Sequence, residues 1–295
     1  MTGSPSIDPV LQLRRVVQEL PGRRTGVLRR RSLPERPLAG VDLALRAGEV
    51  AWVVGAAESI AALIDLLAGT VPTAGAVLLT GRDVTHRRRR QRARIARQLV
   101  ILGGSDGLVD LAGIDAASAA QPSVLVLDRT RVAGADADEV VASTLQARER
   151  RIAVLVLDSV LPTPTTAEGA TVHVLCGGRV VEVLGSGDLA EPMHPYARRL
   201  RGGADGAHEA LPDALPAAEG GCPWRGACEL AQSRCASEMP GLERPLGATH
   251  AVACHFPIIG RPAQPHTVVL PRAADSAAGG AVHGDEPTAR EFVDT

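Results

Sequence analysis

Short apolar runs alternate with helical stretches along the first two thirds of the chain. Four runs are rich in β-branched residues and predict buried strands, at residues 50–54, 76–79, 124–127 and 152–157. Residues 61–68 predict a helix that ends at Gly69, and residues 138–150 predict a second helix of mixed charge. Two further runs, 172–175 and 180–183, predict a hairpin. Such alternation predicts an α/β fold with a mainly parallel central sheet.

The composition changes after residue 190, where the apolar periodicity weakens and Pro, Gly and Cys become frequent. Residues 201–220 are typical of a linker, and residues 221–257 hold four of the five cysteines. The remaining residues are rich in Ala, Gly and Pro, which favours disorder. We therefore predict three parts: a domain over 10–190, a small cysteine-rich domain over 191–258, and a disordered tail over 259–295.

Charge and hydropathy exclude several classes of protein. The 295-residue chain has a formal net charge of -1, so no bulk field attracts it to nucleic acid. It shows no N-terminal signal pattern and no run of the roughly 18 apolar residues that span a bilayer. These features predict a cytoplasmic protein, in which cysteines are reduced or bound to metal rather than paired in disulfides.

Five segments, in order, resemble the ATP-binding subunits of oligopeptide and dipeptide ABC importers. They are residues 38–49 before the phosphate loop, the Walker B-like strand 122–128, the turn 178–182, the His-Pro-Tyr motif 194–196 and the cysteine segment 221–257. The resemblance implies a P-loop NTPase-like ABC core followed by the family's C-terminal domain. It also implies a dimer with an intact ABC ATPase subunit, docked on membrane permease subunits at the inner face of the cell membrane.

The nucleotide motifs of that family are largely missing. A phosphate loop needs glycines, a lysine for the β and γ phosphates, and a Ser or Thr for Mg²⁺. The corresponding stretch, residues 55–62, keeps only Gly55, and the chain contains no lysine. Asp128 and Asp136 match the Walker B and D-loop aspartates. The residue after Asp128 is Arg129, a cation where the family has a glutamate that polarises water. We therefore expect neither Mg-ATP binding nor ATP hydrolysis.

The other contributions to an ABC site are also absent from the sequence. Leu20 replaces the aromatic residue that stacks on adenine, Leu102 replaces the Q-loop glutamine, and residues 111–115 are a relic of the signature motif. No histidine lies between residues 152 and 170, so the switch histidine is missing. The interval after Leu102 is too short for the helical subdomain, which predicts a trimmed core. Asp128 and Asp158 end neighbouring strands, as a generic cation site or as capping carboxylates.

The cysteine segment is the best preserved chemistry in the chain. Cys222, Cys228, Cys235 and Cys254 have the spacing C-x5-C-x6-C-x18-C, without the tight pair usual in structural zinc sites. The spacing leaves open an iron–sulfur cluster, zinc, or buried thiols without metal. The resemblance implies a [4Fe-4S] cluster. Cys176 is predicted to lie in the core.

Two histidines accompany the cysteine segment. We place His255 in the shell around the metal and His250 on the surface. Three interpretations of the whole chain follow. The first is a non-hydrolysing structural or regulatory subunit of a peptide importer. The others are a free-standing iron–sulfur or redox-sensing protein on the same scaffold, and a decaying gene product.

Overall fold

A computed structural model describes most of the chain up to residue 259. The described residues are 8–21, 24–25, 30–31, 34–86, 91, 95, 97–103, 111–131, 141–142, 145–202 and 220–259. Asp136, most of the predicted linker and nearly all of the predicted tail lie outside them, so these predictions stay predictions, as does the boundary at residue 190. Residues 1–260 form one compact unit, and residues 261–295 form a second that lies outside the described residues.

A four-stranded antiparallel sheet forms the first layer, with strand order β4-β1-β6-β7. Its strands are β1 (Leu11–Leu20), β4 (Glu35–Leu45), β6 (Ala74–Leu79) and β7 (Arg82–Asp83). The two-residue strands β2 (Arg24–Thr25) and β3 (Arg30–Arg31) pair only with each other. Of these six strands, the apolar pattern predicted only β6. The others carry polar residues on one face, and the long pairing of β1 with β4 and β6 stabilises them.

A seven-stranded sheet forms the centre, in the order β13-β12-β11-β5-β10-β9-β8. Its strands are β5 (Val50–Gly55), β8 (Leu99–Leu102), β9 (Val124–Asp128), β10 (Ala153–Asp158), β11 (Thr171–Cys176), β12 (Arg179–Gly185) and β13 (Ala251–Val252). The five strands from β11 to β8 pair in parallel, and β12 and β13 join antiparallel at one edge. The predicted α/β class and mainly parallel sheet are therefore confirmed.

The described helices are few. They are α1 (Ala57–Ala68), α2 (Leu111–Ala119), α3 (Pro195–Gly202) and α4 (Ser233–Ser237), with 3-10 turns at Arg129–Arg131, Ala147–Arg150 and Ser186–Asp188. Between β8 and β9 the described residues contain α2 alone, which confirms the trimmed core. None of the described helices is long and apolar enough to cross a bilayer. The predicted helix over 138–150 ends in a 3-10 turn, and its first residues lie outside the described part.

Residues on the central strands alternate between two hydrophobic cores. In β5, Val50, Trp52 and Val54 contribute to the first core, while Ala51 and Val53 contribute to the second. The second core also holds the apolar face of α1 and the antiparallel sheet. The first holds Tyr196 of α3 and Trp224, whose rings meet edge to face with centroids 5.0 Å apart. The cysteine segment thus packs on the face of the sheet opposite α1.

The turn between β11 and β12 ties the cysteine segment to the sheet. Gly177 has a φ of 55°, and a Cβ there would lie 2.4 Å from the Cβ of Pro223. Gly178 has a φ of 74°, and a Cβ there would lie 2.7 Å from the carbonyl oxygen of Pro37. The two glycines therefore let β4 and the cysteine segment approach the same turn.

Candidate functional site

The connection from β5 to α1 is where a phosphate loop would lie. β5 ends at Gly55 and α1 begins at Ala57, so Ala56 is the single residue between them. The backbone N–H groups of Ser59 and Ile60 donate to the carbonyl oxygen of Ala56 at 3.0 and 3.1 Å. Helical hydrogen bonding therefore starts at once. The sequence analysis placed this helix four residues too late, because small residues at 57 and 61 carry little apolar signal.

Gly55, the one phosphate-loop glycine retained, has a packing role in this structure. A Cβ at position 55 would lie 2.9 Å from both the Cβ and the carbonyl oxygen of Leu175 on β11. Close approach of two parallel strands therefore requires glycine here, whether or not a phosphate binds. The exposed carboxylate of Glu58 lies in the first turn of α1. It is favourable beside the helix dipole and unfavourable beside a phosphate.

The carboxyl ends of β9 and β10 carry two buried aspartates. Asp128 and Asp158 are 2% and 3% exposed. Oδ1 of Asp128 accepts hydrogen bonds from the N–H and hydroxyl of Thr130, at 3.1 and 2.5 Å. Asp158 accepts the N–H of Ser159 at 2.7 Å and binds Nη1 of Arg129 at 2.5 Å. Both carboxylates thus serve local turns, and the nearest cation is a side chain of the protein.

The four cysteines of the C-terminal segment line one cavity. Cys222 and Cys235 are buried, while Cys228 and Cys254 are half-buried, and none forms a disulfide. The remaining lining includes His194, Arg225, His255 and Phe256. We call this cavity the cysteine pocket. Cys235 lies on α4, and its carbonyl oxygen accepts the N–H of Cys222 at 2.8 Å.

Electrostatics in the cysteine pocket oppose the free thiolates. Burial raises the pKa of Cys254 to about 11, and the other three cysteines raise it further, against a hydrogen bond from the N–H of Phe256. Burial also raises the pKa of Cys222, although the N–H of Trp224 donates to its sulfur and lowers it. These sulfurs have hydrogen-bond donors but no countercharge large enough, so a bound cation would be needed to hold them as thiolates.

His194 connects the pocket to α3. Its ring is 1% exposed, and burial lowers its pKa to about 4, so it is neutral at physiological pH. Nδ1 accepts the N–H of Tyr196 at 3.1 Å, which caps the first turn of α3. Nε2 lies 4.0 Å from Sγ of Cys222. Sequence analysis recorded His194 only as part of a family motif and assigned it no contact with the cysteines.

A buried carboxylate holds the same region together. Glu182 on β12 is 0% exposed and accepts the N–H groups of Met193 and His194, at 2.5 and 3.2 Å. Its Oε1 also lies 2.6 Å from Nε2 of His250, and Nδ1 of His250 lies 3.5 Å from Asp188. His250 is 5% exposed, so the prediction of a surface histidine was wrong. Its partner lies 68 residues away, and no local pattern indicates such pairing.

Two predicted residues lie apart from these contacts. Cys176 is 1% exposed in the first core, as predicted, and burial raises its pKa well above the usual range. His255 lines the pocket, but its Nε2 pairs with the carbonyl oxygen of Glu238 at 3.0 Å.

The donor set of the cysteine pocket fits a cluster better than a single ion. Among the described residues, no three His, Cys, Asp or Glu side chains are placed to bind one metal ion. The four thiols nevertheless share one cavity. A cubane binds each thiolate through a different iron and so needs wider separation than zinc. The residues present therefore fit an iron–sulfur cluster.

Comparison with solved structures identifies the fold. The ADP conformation of MJ1267, an ATP-binding cassette of an ABC transporter, aligns with a TM-score of 0.50 at 12% identity, over 65% of this chain and 98% of that one. A bacterial Atm1-family ABC exporter with ATP bound aligns with a TM-score of 0.48 at 19% identity, over 72% and 44%. No family model and no curated protein matches the sequence. The chain has the fold of ABC P-loop NTPase cassettes, with few helices.

Proposed function

We propose that this chain is a non-hydrolysing, ABC-cassette-like subunit of an oligopeptide or dipeptide importer, with a [4Fe-4S] cluster in its cysteine pocket. One observation carries the proposed role. On an ABC cassette fold, β5 continues into α1 through Ala56 alone, so no loop of backbone N–H groups is available to phosphates. The Arg129–Asp158 pair supports the same conclusion, because a guanidinium lies at the strand end where Mg²⁺ would be needed.

The cofactor proposal rests on the cysteine pocket. Cys222, Cys228, Cys235 and Cys254 would hold the cluster, one iron each, while the N–H groups of Trp224 and Phe256 donate to two of the sulfurs. When bound, such a cluster supplies one-electron redox chemistry and a covalent cross-link of the segment. Zinc is the alternative occupant.

The partners follow from the resemblance of the sequence to importer subunits. An intact ABC ATPase subunit would complete a dimer, and permease subunits would bind it at the inner face of the cell membrane, so the protein is cytoplasmic and peripheral. Because this chain lacks both the phosphate loop and the signature motif, neither composite site of such a dimer would be complete. The proposed role is therefore structural or regulatory.

A second candidate is a free-standing redox sensor. Cys228 and Cys254 are half-buried rather than enclosed, so small oxidants can reach the pocket. The two candidates share the cluster and differ in their partners. Affinity purification from the native cell membrane separates them. Stoichiometric permease subunits support the importer role, whereas protein recovered without permease, with a cluster that air destroys, supports the sensor.

Anaerobic purification tests the cofactor. We expect brown protein with about four irons per chain, the content of a cubane bound by four cysteines. Colourless protein with stoichiometric zinc would replace the cluster with a zinc site. Isothermal titration with Mg-ATP tests the nucleotide site, and we expect no binding at physiological concentration. Micromolar affinity would contradict the proposed role.

A further inference from the structure

His194 lies between α3 and the cysteine pocket in a way that fixes which ring nitrogen carries the proton. The N–H of Tyr196 donates to Nδ1 at 3.1 Å, so Nδ1 must be the acceptor. In a neutral imidazole the proton is then on Nε2. That nitrogen is the one that lies 4.0 Å from Sγ of Cys222. The ring therefore presents an N–H donor to a sulfur.

The position of His194 is held from several directions. Its own backbone N–H donates to Oε2 of the buried carboxylate of Glu182 at 3.2 Å. Pro195 follows it as the first residue of α3, where proline is favoured, and the ring is 1% exposed. Because the backbone and one ring nitrogen are both anchored, the second nitrogen has little freedom to turn from Cys222.

We propose that His194 is a positioning residue that donates a hydrogen bond from Nε2 to the Cys222 thiolate and thereby raises the reduction potential of the bound cluster. Reduction adds an electron to the cluster and increases negative charge on its sulfur ligands. A donor aimed at one sulfur stabilises that reduced state, more strongly in a buried site than in water. This inference rests on the proposed cluster in the cysteine pocket.

The capping role of His194 offers a matched test. His194→Asn keeps a short side-chain acceptor for the N–H of Tyr196, as N-cap asparagines do, but is too short to reach Cys222. His194→Ala removes both the cap and the donor. His173→Asn makes the same substitution at another buried histidine, on β11, which does not line the pocket.

The experiment measures iron content, far-UV circular dichroism and the midpoint potential of anaerobically purified full-length protein. We expect H194N to hold as much iron as the unmodified chain, with a more negative midpoint potential. H194A should show the same shift, and H173N should keep the original potential. An unchanged potential in H194N would overturn the inference. So would loss of iron from folded H194N, which would make the ring necessary for binding rather than tuning.

Failure of the cofactor proposal gives a different result. If the unmodified chain itself binds no iron, the cluster is absent and this inference falls with it. That outcome is seen before any variant is made, so it is distinct from a native cluster whose potential ignores His194.

Discussion

The guanidinium of Arg129 lies 2.5 Å from the carboxylate of Asp158 and joins the ends of two central strands. Asp158 is 3% exposed, so its charge is taken out of water and needs this partner. In open α/β sheets, ligands bind outside the carboxyl ends of the strands. Here a cation of the chain itself occupies that edge. The contact therefore bears on both stability and nucleotide chemistry.

Arg129→Glu tests both consequences. Restoring a carboxylate after Asp128 should restore no ATP hydrolysis, because the phosphate loop is missing. It should lower the free energy of unfolding by about 1–3 kcal/mol, since Asp158 loses a charged hydrogen bond and gains a like charge. Urea unfolding and a phosphate-release assay give the two results. Arg131→Glu, at an exposed site, is the control. Measurable hydrolysis in R129E would show that a functional phosphate site exists.

Gly55→Ala separates packing from phosphate binding. A Cβ at position 55 would lie 2.9 Å from Leu175, so the strands must shift and stability should fall by about 1–3 kcal/mol. Thermal unfolding measures the effect. Gly187→Ala is the matched control, because nothing lies within 4 Å of its added Cβ, and we expect a change within about 0.5 kcal/mol. A G55A variant as stable as the unmodified chain would contradict the packing role.

The Glu182–His250 contact should make stability depend on pH. Burial lowers the pKa of His250, but its hydrogen bond to Glu182 and the charges of Glu182 and Asp188 raise it above 6.5 overall. A raised folded pKa contributes stability that is full below pH 6.5 and is lost as pH rises through the folded pKa. The free energy of unfolding should therefore fall between about pH 6.5 and 8, and His250→Gln should flatten this slope.

Urea titrations across this range check the pH dependence. His173 and His194 have pKa values lowered to about 4, so they are neutral in both states above pH 6.5 and do not disturb it. His86→Gln, at an exposed histidine, is the control. An H250Q profile as steep as that of the unmodified chain would assign the slope to another group.

Serine substitutions test whether the metal supports the fold of the cysteine segment. Replacing any of Cys222, Cys228, Cys235 or Cys254 should release the iron and speed proteolysis within residues 221–257, because metal binding there contributes folding free energy. Cys176→Ser buries a hydroxyl in the core and should keep its iron. Limited proteolysis with mass spectrometry locates the cuts. Equal resistance in all five variants, without metal in any, would exclude the cluster and its structural role.

Particular residues show what the sequence alone determined. The apolar runs predicted β5, β9, β10 and the β11–β12 hairpin, because strands buried on both faces leave continuous apolar segments. The absence of lysine excluded an ordinary phosphate site before any coordinates. The spacing of the cysteines selected the four residues that line one cavity. Each of these signals is local or compositional.

The tertiary structure decided the rest, because the remaining contacts join residues far apart in the chain. Gly55 reads as a phosphate-loop relic until Leu175 is found against it, 120 positions along. His250 reads as a surface residue until β13 pairs with β12 and brings it onto Glu182. The order of strands in the sheet sets these meetings. A buried polar group shows its partner only once that order is known, since its sequence neighbours do not supply it.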